Sequence, residues 1–579
     1  MFTGRKRRLI AMVSALAVAG CLLPSSGGVV ATARTSAFLS AGEAKKIDAI
    51  ATPKLNWYTC YQTAECTTVR VPRDYDKPKG AKVELALLRV KARNQKKRIG
   101  SLFINPGGPG GSATEVAYFS PQVLSADLLD RFDIVGMDPR GVAFSDNVRC
   151  LPGAREQESV LAGYNTFFPI TSQQERAWLK SDRSEGQACS KDSLAKSMST
   201  AEVARDMELM RRAVGDSKLT YLGFSYGSYL GQVYANMFPD RFRAVAVDGV
   251  LDPVAWAGDK SNQGQPLEQR LRASSGAWKA LRELLVRCDQ AGGEQCSFAP
   301  GDPVANLAVI ADRLKRDPLQ QVDDFSGEVY TFGYQDLVAN LLFMLYDPAG
   351  FSYIIGMLTD LWIITEPPAD ASAQSARKKQ ALESFNELRR RNEDLVGRPH
   401  FGFPYDNSFD AFASVTCTDS RETTRGRDYP AFAAKADRRA PYFGRVWTWS
   451  SSVCAGDAFT GNDEDAYTGP FNTKTAKPVL VVGNYFDPAT NYAGAVSAAK
   501  RLPNSRLLSS NSWGHTAYGT SDCVISAVDS YLLKGTVPAA GKVCKGDLQP
   551  FQSIEEEALV ANAARQEAFT KSLPRLARR

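Results

Sequence analysis

Short apolar runs alternate with stretches of helical spacing along the first part of this chain. Lys82–Val90 alternates enough between apolar and polar positions to be a strand. Residues 101–104 are a short apolar strand running into a glycine-rich loop, and Phe132–Met137 is another that ends at Asp138-Pro139-Arg140-Gly141. Ser199 stands three positions before Glu202, the pattern of a capping box. Val203, Met207, Met210 and Val214 then recur at helical spacing. Leu219–Phe224 reads as a strand, Ser225 follows it, a second helix runs to about Met237, and residues 244–247 form a further strand. Strands alternating with helices predict a mostly parallel sheet, so the class is α/β.

From residue 254 to 410 the pattern changes, and helical stretches such as residues 306–316 and Tyr334–Tyr346 dominate. Residues 337–364 are very apolar, but Asp347, Pro348 and Asp360 interrupt them, which predicts buried helices and no membrane span. This block is expected to be a helical lid inserted between two parts of an α/β core, residues 56–253 and 411–551. The α/β pattern resumes with strands at residues 478–482 and 506–509. Residues 34–55 lack apolar periodicity and are expected to be a flexible N-terminus; residues 552–579, charged and alanine-rich, are expected to be a helical tail.

The first residues add a destination. Arg5, Lys6, Arg7 and Arg8 precede an apolar run over residues 9–23, Pro24 breaks it, and Ala31-Thr32-Ala33 offers a small-residue cleavage site. That order predicts a signal peptide over residues 1–33 and a secreted protein. Val18-Ala19-Gly20-Cys21 also looks like a bacterial lipoprotein box, so a cell-surface lipoprotein with a lipid anchor at Cys21 is the alternative. Against it, Leu22 and Leu23 continue the apolar run. Of the eleven cysteines, setting Cys21 aside leaves ten, an even number that suits disulfides in an oxidising compartment. Pairing neighbours in chain order is the simplest connectivity, beginning with Cys60 and Cys66. With no C-x-x-C and two histidines, a zinc site is disfavoured. The net charge of +7 is small for 579 residues, and no basic stripe is interleaved with aromatics, which argues against nucleic-acid binding.

The chemistry centres on Gly223-Phe224-Ser225-Tyr226-Gly227, a G-x-S-x-G sequence between an apolar strand and a helix. The sharp turn needs very small residues two positions either side of the serine, and it exposes the hydroxyl beside a helix N-terminus. Without that context Ser225 would read as a helix N-cap. A serine hydroxyl is a poor nucleophile without a base. His515 lies in Trp513-Gly514-His515-Thr516, after the last predicted strand, and His400 lies in Arg398-Pro399-His400, inside the helical block. Where such a serine opens an α/β-hydrolase, the histidine comes last in chain order, which selects His515. Asp487 follows the strand at 478–482 and leaves room for one helix and one strand before His515, so it is the expected acid of the triad. Asp248 and Asp252 are rivals, although Asp252-Pro253 also suits a plain turn. Pro106-Gly107-Gly108-Pro109-Gly110-Gly111-Ser112 lets backbone approach a substrate carbonyl. One oxyanion donor is expected from Gly108, with Gly107 as the neighbour that could replace it, and a second from Tyr226. Acyl transfer by such a set needs no metal or organic cofactor.

Further motifs accompany these residues. Trp57, Cys60, Cys66 and Val69-Arg70-Val71-Pro72-Arg73-Asp74-Tyr75 form an N-terminal group, Asn105-Pro106-Gly107-Gly108-Pro109-Gly110 a loop, Asp138-Pro139-Arg140-Gly141 a turn, and Val415-Thr416-Cys417-Thr418-Asp419 an entry into the C-terminal part. Together with Asp487-Pro488 and Gly514-His515, they resemble the secreted tripeptidyl aminopeptidases of actinobacteria, α/β-hydrolase serine peptidases related to the prolyl iminopeptidases, over nearly the whole mature chain. There are departures. Pro106 stands where prolyl iminopeptidases usually carry histidine, and Gly141-Val142-Ala143-Phe144-Ser145 is less glycine-rich than the common pattern.

The resemblance implies an α/β-hydrolase fold with a mostly parallel central sheet and an inserted helical lid. It implies release of short peptides from substrates with a free N-terminus, whose ammonium group calls for carboxylates at the end of the cleft. Glu366, Asp370, Asp410, Asp419 and Glu422 lie in or near the block and are candidates without a ranking. An esterase or amidase with the same triad, a single-residue aminopeptidase like the prolyl iminopeptidases, and a binding protein that kept the fold are the rival expectations.

Overall fold

The computed structural model describes residues 40–322, 329–366, 373–396 and 405–552. The expected signal peptide, Cys21, Asp370, His400 and the tail beyond residue 552 lie outside the described residues. The strands are β1 (Tyr58–Cys60), β2 (Ala64–Pro72), β3 (Lys82–Val90), β4 (Gly100–Asn105), β5 (Phe132–Met137), β6 (Leu219–Phe224), β7 (Phe242–Asp248), β8 (Leu319–Val322), β9 (Val329–Phe332), β10 (Val479–Phe486), β11 (Ser505–Trp513) and β12 (Val543–Cys544). One sheet runs in the order β1-β2-β3-β5-β4-β6-β7-β10-β11-β12. Pairings from β5 through β12 are parallel, and β1, β2 and β3 pair antiparallel at one edge.

The middle strands read as unbroken apolar runs because both of their faces are covered. Phe103, Val245, Val247, Val479 and Val481 point into one core, where they meet helices α2 (Thr200–Ala213) and α3 (Tyr226–Met237). Their chain neighbours Leu102, Ile104, Ala244, Ala246, Leu480 and Val482 point into another, against α1 (Ala113–Val123) and α11 (Asp522–Lys534). The strand period of two thus sorts one apolar run into two cores. At the antiparallel edge β2 alternates between buried and exposed positions instead.

Between β7 and β10 the chain leaves the sheet. Helices α4 (Leu267–Leu271), α5 (Ala273–Ala291), α6 (Pro303–Arg316), α7 (Tyr334–Tyr346) and α8 (Gly350–Thr365) build a further core around Leu284, Leu307, Leu341 and Leu358, each fully buried. Each such leucine contributes about 2 kcal/mol when withdrawn from water, so the block is packed in its own right. Phe486 at the end of β10 and Trp513 at the end of β11 stack at 4.4 Å and join that core, which seats the block over the C-terminal ends of these strands. The apolar run over 337–364 is two helices broken at Asp347-Pro348. Among the described residues no helix is long and apolar enough to cross a membrane.

Several expectations change. The block, in which helical stretches were expected to dominate, also holds an antiparallel pair, β8 with β9. Helix α9 (Ser408–Asp419) runs unbroken through residue 410, and α10 (Phe443–Ser450) packs against α5 and α7, so helices continue well past that position. The expected flexible N-terminus is helical over residues 40–48 and docked on the core. Ile47 is fully buried, and Glu43 and Asp48 pair with Arg205 and Arg241. The capping box at Ser199 does not form, because the Glu202 carboxylate is drawn to Arg140 at 2.9 Å and Arg205 at 2.7 Å. Disulfides join neighbours in chain order: Cys60–Cys66, Cys150–Cys189, Cys288–Cys296, Cys417–Cys454 and Cys523–Cys544.

Candidate active site

Ser225 is the single residue between β6 and α3. Its φ of 55° and ψ of −125° are ones that residues with a side chain rarely adopt, and the turn is held by its own N–H donating to the Asp248 carbonyl at 2.9 Å. Small neighbours are obligatory. A Cβ on Gly227 would come within 2.7 Å of the Asn105 carbonyl oxygen, and one on Gly223 would overlap the Gly227 carbonyl. The loop after β4 lies directly against this turn: a Cβ on Gly107 would stand 2.6 Å from the Phe224 carbonyl oxygen and 2.8 Å from the Ser225 Cβ. Gly107 and Gly108 have φ of 96° and 108°. The Gly107 N–H donates to Asn105 Oδ1 at 2.9 Å, which leaves Gly108 the better-placed of the two glycines to donate to a ligand. The Tyr226 N–H opens α3 and has no carbonyl one turn earlier to bond.

His515 sits on the loop after β11, buried beside the end of β10. Its Nδ1 is 2.9 Å and 3.0 Å from the two oxygens of Asp487. Asp487 also accepts from the N–H groups of Ala489, Thr490 and Thr516 and from the Thr490 hydroxyl, at 2.8–3.0 Å. Burial alone would push its carboxyl up. The imidazole of His515 and the N–H donors of Thr516 and Thr490 outweigh burial and hold it below the usual carboxylate range. The loop itself is pinned: Asn484 donates to the carbonyls of Gly514 and Thr516 at 2.9 Å and 3.2 Å, and the His515 N–H donates to the Tyr346 carbonyl at 2.9 Å.

The rival carboxylates do other things. Asp248 accepts from the N–H groups of Ala517 and Tyr518, the latter at 2.7 Å, and burial pushes its carboxyl up to about 6. It is an anchor for the histidine loop. Asp252 caps the short helix Pro253–Ala257 through the N–H groups of Val254 and Ala255, as a turn residue would.

Gly108, Ser225 and His515 line one cavity of about 140 Å³, walled mainly by aromatic and aliphatic side chains such as Trp256, Phe412 and Trp447. The carboxylates expected at its end are elsewhere. Asp410 accepts from the Cys150 N–H at 3.0 Å and from the Tyr405 hydroxyl. Asp419 accepts from Thr200 and, at 3.1 Å, from the Trp256 indole. Glu422 accepts from the Leu267 N–H at 3.2 Å and the Tyr429 hydroxyl at 2.6 Å, and Glu366 follows the end of α8. None of these four lines the cavity. Glu268 does, and burial pushes its carboxyl up to about 8 against the pull of Arg270. No motif marks Glu268. The available signal was its place three residues before Leu271 on one helix face, where a charge more often faces water. Cys150, Cys189 and Asp410 converge as metal ligands would, but the two sulfurs are joined in a disulfide.

Comparison with known proteins follows the same two halves. The family described as TAP-like protein matches residues 440–544, which hold Asp487 and His515, and that described as alpha/beta hydrolase fold matches residues 100–272, which hold Gly108 and Ser225. Serine protease Hip1 of Mycobacterium tuberculosis is 31% identical over 499 residues, covering 83% of this chain and 87% of that protein. Tripeptidyl aminopeptidase of Streptomyces coelicolor is 29% identical over 507 residues, 84% of each chain. Carboxylesterase B of Mycobacterium tuberculosis is 30% identical over 517 residues, covering 86% of this chain and 91% of that protein.

Proposed function

The chain belongs to the TAP-like family of α/β-hydrolases and is a serine hydrolase of the peptidase class, and from that premise we propose that it is a secreted exopeptidase releasing short peptides from the free N-terminus of its substrates. The observation that carries this proposal is one cavity lined by Gly108, Ser225 and the imidazole that Asp487 holds. Ser225 Oγ attacks the peptide carbonyl carbon while His515 takes the hydroxyl proton at Nε2, the nitrogen Asp487 leaves free. Asp487 fixes the ring and stabilises the imidazolium. The N–H groups of Gly108 and Tyr226 receive the oxyanion, each worth about 3 kcal/mol in the transition state. As the tetrahedral adduct collapses, His515 protonates the leaving amine and an acyl-enzyme remains. His515 then takes a proton from water as its oxygen attacks the acyl carbon, returns that proton to Ser225 Oγ as the ester bond breaks, and the short peptide leaves with its new carboxylate. The helical block, drawn at residues 254–410 from the sequence, serves as a lid that restricts the cavity to short substrates.

Export is supported by the signal-like residues 1–33 and by the five disulfides. The lipoprotein alternative at Cys21 would change the anchorage and leave the chemistry alone. An esterase or amidase is the second reading, favoured by the apolar cavity walls and by the relative named a carboxylesterase. One experiment separates them: a peptide is offered with a free and with an acetylated N-terminus to wild type and to Ser225→Ala, and the fragments are weighed. Cleavage of the free form alone, near its N-terminus, with Ser225→Ala inactive, is the expected result. The fragment mass then tells a tripeptide from the single residue of a prolyl iminopeptidase-like enzyme. Cleavage of neither form, with a simple ester hydrolysed through Ser225, would replace the peptidase with the esterase.

A further inference from the structure

A buried acid with an oxygen that no donor meets calls for an explanation, because such groups are rare in folded proteins. Glu268 is nine-tenths buried, at 9% exposure, on helix α4, and its Oε2 meets no protein hydrogen-bond donor among the described residues. It is the one carboxylate among the described residues lining the cavity that Ser225 and His515 share. Leu267 and Leu271 on its own helix and Trp256 and Trp447, which line the same cavity, carry no charge, and Tyr346 on α7 is near enough for the carboxylate to push its hydroxyl up. The nearest cation of its own helix, Arg270, is turned to the Arg421 carbonyl at 3.0 Å and to the Ser420 hydroxyl.

Resting on the exopeptidase reading, we propose that the Glu268 carboxylate receives the α-ammonium group of the substrate and so fixes the enzyme on free N-termini. An ammonium suits every feature of this place. It pairs with a carboxylate that has a free oxygen, and aromatic rings such as Trp256 and Trp447 in the cavity lining suit a cation better than a neutral group. The carboxyl, held near 8 by burial, is largely neutral until a cation arrives, so ionisation of the acid is coupled to binding of the amine. An acetylated N-terminus brings no cation and leaves the acid buried and unpaired.

The test compares wild type, Glu268→Gln and Glu268→Asp on three peptides: one with a free N-terminus, its acetylated form, and an acetylated form with lysine beside the scissile bond. Rates are expressed per enzyme labelled by a fluorophosphonate, so that misfolded protein does not count. Wild type is expected to prefer the free over the acetylated peptide by about 100-fold in kcat/KM, the scale for a buried charge pair. Glu268→Gln should lose that preference through KM, and Glu268→Asp should recover part of it. An unchanged preference in Glu268→Gln overturns the assignment of Glu268 and leaves the exopeptidase standing. Absence of any preference in wild type removes the exopeptidase, and this assignment with it. Cleavage of the acetylated lysine peptide by wild type, lost in Glu268→Gln, overturns the assignment by showing a side-chain pocket. If Glu268→Gln gives no labelled enzyme, short peptides compete with labelling of wild type. Stronger protection by the free than by the acetylated form is expected, and equal protection overturns the proposal.

Discussion

Asp487 shows how one residue can be told from its rivals by what bonds to it. Three acids stand near the ends of β7 and β10. Asp252 is spent on a helix cap, Asp248 on the backbone of Ala517 and Tyr518, and Asp487 faces the imidazole. Its carboxyl is held below the usual range, so it is ionised wherever a peptidase would work. Asp487→Asn keeps the shape and removes the charge. Steady-state kinetics should show kcat lower by about 10⁴-fold with KM little changed, the scale of the same exchange in a serine-protease triad. A loss under tenfold would mean that Asp487 does not orient His515. Chain order and strand context made the meeting of Asp487 and His515 legible from the sequence, because each follows an apolar strand by a short, recognisable loop. Glu268 was not legible. Burial of a lone carboxylate depends on α5, α7 and α10 closing around it, and no local pattern records contacts between residues so far apart in the chain.

At the scale of elements, legibility followed burial. Phe132–Met137, Leu219–Phe224 and Tyr334–Tyr346 have the predicted limits, since continuous cover on both sheet faces or on a helix leaves an uninterrupted signal, and Lys82–Val90 has them because its polar positions alternate with apolar ones at the antiparallel edge. The pair β8–β9 escaped because each strand is four residues long and carries polar positions, Gln320 and Gln321 facing Thr331 and Tyr330. The helix over residues 40–48 escaped because ion pairs and one buried isoleucine hold it, with no apolar stripe to announce it. The glycine loop after β4 was legible as a type and not in detail: its contact with Ser225 is a matter of backbone against backbone. Gly107→Ala tests that contact. The added Cβ meets the Phe224 carbonyl at 2.6 Å and the Tyr226 nitrogen at 2.7 Å, neither of which can rotate away, at a φ of 96°. The loop must shift, and the Gly108 N–H, proposed as an oxyanion donor, shifts with it. Turnover should fall at least 10²-fold, and stability by about 1–3 kcal/mol. Gly264→Ala, with nothing within 4 Å of its Cβ, is the control expected to change neither. An active Gly107→Ala would place the oxyanion elsewhere.

The whole molecule is two packed bodies, sheet and helical block, joined by chain segments whose acids are buried. Asp410 bonds the Cys150 N–H, Asp419 bonds Thr200 and Trp256, and Glu422 bonds Leu267 and Tyr429, so these carboxyls sit where α9 and the turn after it meet both bodies. Burial pushes them up to about 7, 7 and 8, more than their hydrogen bonds pull them down. An unfolded carboxyl releases its proton near pH 4. From there to about pH 7 or 8 the folded chain holds protons that the unfolded chain has lost, so stability falls as pH rises through that window. Asp248, pushed up to about 6, adds to the same slope. Asp487 acts in the opposite sense, but its carboxyl is held below the usual carboxylate range and is already ionised in both states across this window. Urea unfolding should therefore give a higher midpoint at pH 5 than at pH 8 at an unchanged slope. Asp419→Asn, which needs no proton to stay neutral, should reduce the difference between the two. A midpoint that rises toward pH 8 would mean that these acids are ionised in the folded chain. The joint between the bodies would then be held by charge and not by neutral hydrogen bonds.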